Sequence, residues 1–162
     1  MTTTTITTIF AKVATVVAAL TPAAISSRPF QRATFATRPL RRWIPSTGPD
    51  GMLRMFEVRG DGDEVPIGIQ DPGANLVSAA ISVTVAYPAQ PKLYSYAELY
   101  EIEGLIAGDA RQIRDAIIAP TGLADGGHQA SLYGAMSLDR SDDRIWYQTL
   151  DFDAVYYTAQ RL

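Results

Sequence analysis

The stretch Leu76-Val77-Ser78-Ala79-Ala80-Ile81-Ser82-Val83-Thr84-Val85-Ala86-Tyr87 decides the fold. Val77, Ala79, Ile81, Val83, Val85 and Tyr87 alternate with Ser78, Ala80, Ser82, Thr84 and Ala86. Successive side chains on a strand point to opposite faces, so this pattern predicts a half-buried strand with one apolar and one small, polar face. A second long alternation occupies residues 145–157. There Trp146, Leu150, Phe152, Ala154 and Tyr156 share one face, and Ile145, Tyr147, Thr149, Asp151, Asp153, Val155 and Tyr157 share the other.

Helices supply the apolar cover that two such strands need. Leu99, Ile102, Ile106, Ala110, Ile113 and Ile117 recur at helical spacing, which predicts a helix from Ser95 or Tyr96 to Ala119. Glu98, Glu101 and Glu103 sit near its start and Arg111 and Arg114 towards its end, and both placements favour the helix dipole. Pro120 and Gly122 end it. Gly104 and Gly108 lie inside it, where they fit either a close backbone crossing or a kink. Ile9, Val13, Val16, Val17 and Leu20 predict another helix over residues 7–20, stopped by Pro22. A strand is the alternative there, because the many β-branched residues lower helix propensity.

Shorter strands are expected over residues 52–59, 65–69 and 130–138, with one more between 30 and 37. Gly60-Asp61-Gly62-Asp63 reads as a hairpin turn, which makes 65–69 a return strand. Residues 122–127 read as a mobile loop and 139–144 as a polar turn. This order gives an α+β fold: a mainly antiparallel sheet with two helices packed on one face, in a single domain over residues 1–162.

Residues 23–50 stand apart as an extended basic arm. Pro29, Pro39, Pro45 and Pro49 exclude continuous helix there. The net charge of −3 hides a division: residues 1–49 carry six basic side chains and no acidic one, whereas residues 50–162 carry the other eight basic and all 17 acidic ones, +6 against −9. Within the arm, Arg28, Arg32, Arg38, Arg41 and Arg42 are interleaved with Phe30, Phe35 and Trp43. Arginine with aromatics marks protein-interface anchors, and it also suits phosphate backbones and stacked bases. The acidic remainder supplies a protein partner and repels nucleic acid, so these eight residues are assigned to a subunit interface. Opposite charge on the two parts of one subunit suits head-to-tail contact.

Composition excludes several classes. Cysteine is absent, so there is no disulfide framework, thiolate metal site or cysteine nucleophile. One histidine, His128, excludes a two-histidine zinc site. His128 follows Gly126-Gly127, where a general base fits less economically than a surface loop. Asp151 and Asp153 share a strand face, with Asp139, Asp142 and Asp143 before them, but neither ligand spacing nor loop glycine matches a calcium site. Asp61, Asp63 and Glu64 read as a hairpin tip. Residues 6–20 are too short and threonine-rich to span a bilayer, and Lys12 interrupts them. No catalytic residue, cofactor or metal is assigned.

The apolar start Ile9–Leu20, the strand Ala79-Ala80-Ile81-Ser82-Val83-Thr84-Val85-Ala86-Tyr87, the helix Leu99–Ile118 and the closing run from Arg144-Ile145-Trp146-Tyr147 to Val155-Tyr156-Tyr157 together resemble the tail terminator proteins of long-tailed bacteriophages. The resemblance lies in order and size across nearly the whole chain, without a fixed motif. It implies a non-enzymatic virion protein of the neck, assembled in the host cytoplasm into a homo-oligomeric, usually hexameric ring. Such a ring ends tail tube growth at the head-proximal end. Its implied partners are the tail tube protein and a head-closure or connector protein, with passing contact to DNA in the lumen and none to membrane. The arm over 23–50 is longer than the family leads one to expect, which leaves a head-closure protein as the alternative.

Overall fold

In chain order the elements are α1 (Ile6–Ala19), β1 (Phe35–Thr37), β2 (Arg54–Gly60), β3 (Val65–Asp71), β4 (Ala74–Tyr87), α2 (Tyr96–Ile118), β5 (His128–Asp139) and β6 (Trp146–Ala159). The computed structural model describes residues 2–21, 35–37, 54–60, 63–71, 73–87, 95–120, 122–142 and 145–159. Strand β4 is the centre of a sheet ordered β1-β2-β4-β6-β5, with β3 also on β4. Every pairing is antiparallel except β1 with β2.

The two long alternations meet in register. β6 pairs with β4 from Ala74↔Ala159 to Tyr87↔Trp146, so Val77 lies opposite Tyr156, Ile81 opposite Phe152 and Val83 opposite Leu150. Their apolar faces therefore become one surface. Phe56 of β2 and Tyr133 of β5 extend it, through Phe56↔Val85 and Tyr133↔Phe152.

Both helices lie on that face, α1 over β1 and β2, and α2 over β5 and β6. Ile9, Val13 and Val17 of α1 join Ile102, Leu105, Ile106, Ala110, Ile113 and Ile117 of α2 in a single core with the sheet. The first segment is helical despite its β-branched residues, because burying that stripe outweighs a weak propensity. Thr5 caps it by accepting from the Thr8 amide. α2 begins with a capping box, in which Ser95 Oγ accepts from the Glu98 amide and the Glu98 carboxylate accepts from the Ser95 amide.

Two expectations need correction. First, β3 is not a return strand paired to β2. Both run antiparallel to β4, β2 along Ile81–Ala86 and β3 along Ala74–Ser78, so they follow one another on the same edge. The reversal comes later, between Asp71 and Ala74, where Gly73 takes a φ of 98° that favours glycine. Second, the loop over residues 122–127 is anchored by the buried Leu123 and Gly127, with Ala124 and Gly126 exposed, and β5 starts at His128, two residues earlier than expected. Of the two readings left open for the helix glycines, a close crossing is absent at Gly104, where an added Cβ meets nothing within 4 Å.

The opposite face of the sheet is small and polar at its middle. Thr84 and Thr149 share a hydroxyl hydrogen bond of 3.0 Å across β4 and β6, and Asp151 and Asp153 project beside them, exposed. At one end of this face Met55, Ala86 and Ile145 form a separate small apolar cluster.

Candidate functional site

Of the eight residues assigned to an interface, Arg28, Phe30, Arg32, Arg38, Arg41, Arg42 and Trp43 lie outside the described residues. Phe35 opens β1, where its backbone pairs with Arg54, and its side chain is likewise outside them. What the structure adds is the geometry of the surfaces around the sheet.

The two flanks differ from the core in the same way. β5 pairs only with β6, and β3 only with β4, among the described residues. Each outer strand exposes large apolar side chains: Leu132, at 57%, and Met136 on β5, and Val65, at 57%, and Ile67 on β3. Apolar side chains beside an unpaired strand edge are what water-facing edges normally avoid. Both strands carry register irregularities, at His128/Ala130 and Tyr133/Ala135 on β5 and at Pro66/Gly68 and Ile69/Asp71 on β3. Such bulges shorten any ladder an edge can offer.

The start of α2 carries a third patch. Tyr96 and Tyr100, at 79% and 70%, are the most exposed large hydrophobic side chains described, and their spacing puts them on one side of the helix. Glu103, one turn further on, bonds Arg140 at 2.6 Å, and the Arg140 guanidinium lies 5.4 Å from the centre of the Trp146 ring. This clamp ties α2 to the β5–β6 turn. Arg114 does the same lower down, 5.8 Å from the centre of the Tyr133 ring.

His128 has a structural setting that the sequence did not disclose. Its Nε2 is hydrogen-bonded to Ser131 Oγ at 2.8 Å, across the bulge between His128 and Ala130. Burial pushes the imidazole pKa below its ordinary value, against the opposing pull of the Ala130 backbone and the Asp125 charge. A serine, a histidine and an aspartate thus lie close together. The carboxylate, however, is turned to the chain's start: Asp125 Oδ2 accepts from Thr4 Oγ1 at 3.1 Å and Oδ1 from the Gly127 amide at 2.9 Å. Ser131 is itself buried. The preceding glycines have a packing reason, since a Cβ on Gly127 would stand 2.7 Å from the Thr4 nitrogen. The Thr4 amide donates to the Tyr157 carbonyl and the Tyr157 amide to the Gly127 carbonyl. This group pins the first threonines to the sheet.

Three of the acidic candidates, Asp139, Asp142 and Glu64, serve turns or an anchor. Asp139 accepts from the Ser141 amide and Asp142 from the Ile145 amide. Hydrogen bonds from the Ser141 hydroxyl and amide hold the Asp139 pKa below its usual value. Glu64 accepts from the Tyr156 hydroxyl at 2.5 Å, which fastens the approach to β3 onto the core. Asp143 and Asp61 lie outside the described residues. Among the described residues no helix is long and apolar enough to cross a membrane.

No family model matches the chain, and no curated protein matches it in sequence.

Proposed function

We propose that this chain is a structural virion protein that assembles into a homo-oligomeric, hexameric ring at the head-proximal end of a bacteriophage tail. There it ends growth of the tail tube and joins tail to head, through the tail tube protein on one side and a head-closure or connector protein on the other. The observation that carries the reading is the sheet with one face covered by both helices and with exposed apolar side chains on β5 and β3, each of which pairs with one strand only among the described residues. A subunit with two different sticky flanks makes heterologous contacts, and these generate rings when the rotation closes. The order of helix, long strand, long helix and closing strand supports the same reading, as does the charge division between residues 1–49 and the rest. A head-closure protein is the second reading, favoured by the length of the basic arm.

The test is the oligomeric state. Light scattering and negative-stain images of the purified protein should show a closed ring at moderate salt. A protein that stays monomeric at every concentration, alone and mixed with tail tubes, refutes the ring.

A further inference from the structure

We propose that neighbouring copies of this chain join by continuing the sheet, with β5 of one copy beside β3 of the next. The inference rests on the ring reading and adds the surface, the polarity and the residues.

Polarity comes first. β5 is antiparallel to β6, and β6 to β4, so β5 runs with β4, whereas β3 runs against it. In a ring whose axis lies along the strands, every copy keeps the same direction. A neighbour's β3 then meets β5 antiparallel without inversion of the subunit, the arrangement that strand addition to an open edge requires.

Height and face agree as well. Val65 pairs with Ser78, Ser78 with Val155, and Val155 with Ala130, so these residues form one row across the sheet. Leu132 pairs with Asp153, which pairs with Ala80, two residues further along β4. All of them stand on the face away from the helices. The exposed Val65 of one copy therefore meets Ala130 directly and Leu132 as a diagonal neighbour, within reach of contact. Pro66 removes one donor from the β3 edge and the bulges interrupt both strands, so the shared ladder is short and these side chains supply much of the contact.

Charge complements the fit. On the β5 flank, α2 presents the exposed Arg111 and, one turn on, Arg114, which lies above Tyr133 and is paired with Asp115 at 2.9 Å. On the β3 flank stand the exposed Asp63 and Glu64, the latter bonded to Tyr156 on the helix-bearing face. Arg111 of one copy thus stands towards Asp63 of the next, a pairing that orients the contact more than it strengthens it.

The absence of native cysteine makes the test direct. Val65→Cys is combined in one chain with either Ala130→Cys or Leu132→Cys, and the assembled protein is mildly oxidised. At least one pair should give a ladder of disulfide-linked oligomers on a non-reducing gel. Each single variant should give none, because a head-to-tail contact never brings a residue against its own copy. Rings by native mass spectrometry without a ladder from either pair would overturn the edge contact and leave the ring standing. Monomers under all conditions overturn both. In a second arm, Leu132→Lys and Val65→Lys should each abolish rings while leaving the circular dichroism unchanged. Mixing the two should restore one intact edge per pair and yield dimers. Rings that survive both lysines refute the contact.

Discussion

The phenolic hydroxyl of Tyr87, at the end of the central strand, donates to Asp109 Oδ2 of α2 at 2.8 Å, and both side chains are fully buried. A carboxylate in an apolar core is tolerated only when its oxygens are hydrogen-bonded. The bond therefore fixes the rotation of α2 above the sheet as well as satisfying Asp109. Tyr87→Phe removes that donor and should destabilise by about 1–3 kcal/mol. Urea unfolding measures it; a loss below about 0.5 kcal/mol, the range of surface substitutions, would mean the bond is unimportant.

Ile106 is buried between α2 and the sheet. Ile106→Ala should lower stability by about 2–5 kcal/mol, from lost transfer energy and the cavity left behind. Thermal and urea unfolding of the variant check this, with unchanged cooperativity expected.

Two glycines should respond in opposite directions. Gly127→Ala drives a Cβ to 2.7 Å from the Thr4 nitrogen and 2.8 Å from the Thr3 carbonyl carbon, both backbone atoms that cannot swing away. A loss of about 1–3 kcal/mol is expected, together with faster amide exchange at Thr4. Gly104→Ala meets open space in a helix interior and should gain about 1 kcal/mol. If both variants shift the unfolding midpoint in the same direction, the packing assigned to Gly127 is in error.

The pH dependence should have two signed limbs. His128 has a folded pKa lowered by burial from 6.5, so the unfolded chain binds more protons as pH falls. Stability is full above 6.5 and declines as pH drops through the folded pKa. His128→Gln should flatten that limb. Tyr156 has a pKa raised from 10.0, by burial first and by Glu64 second, so the unfolded chain loses its proton earlier. Stability should fall as pH rises above 10.0, and Tyr156→Phe should remove this dependence. An unaltered acid limb in His128→Gln would refute the first assignment.

The aromatic arm yields a ranking. Isolated surface ion pairs contribute only about 0–1 kcal/mol, whereas buried aromatics anchor interfaces. Trp43→Ala should therefore reduce the ring population more than Arg41→Ala, and added salt should loosen the ring without dissolving it. Native mass spectrometry at low and high salt makes the comparison; the reverse ranking would assign the arm to charge.

Much of this architecture was legible because it is written in periodicity. The alternation from Val77 to Tyr87 and from Trp146 to Tyr156 names the covered face, and the steps from Ile102 to Ile117 name the helix that covers it. What escaped was non-local. Nothing in residues 65–69 says whether β3 turns back on β2 or follows it, because either course has the same local pattern; pairing with β4 decides. The burial of Asp109 under Tyr87 joins two elements that no local pattern connects. The bond from His128 to Ser131 depends on a bulge, and bulges have no signature in residue spacing. The exposed apolar side chains Val65 and Leu132 emerged as flank residues only once strand order was known.

The pairing of β4 with β6 has a consequence for biosynthesis. Tyr87 waits for Trp146, and Ala74 waits for Ala159. Contacts so distant in the chain form late and slowly, because a long loop must close before they repay its entropy. During translation the middle strand therefore emerges with one side unmatched, and it stays so until β6 leaves the ribosome. A polypeptide interrupted before residue 146 exposes the apolar row from Val77 to Tyr87 and is a substrate for chaperones and proteases. The topology thus acts as a proofreading step, in which the sheet is completed only once β6 has been made.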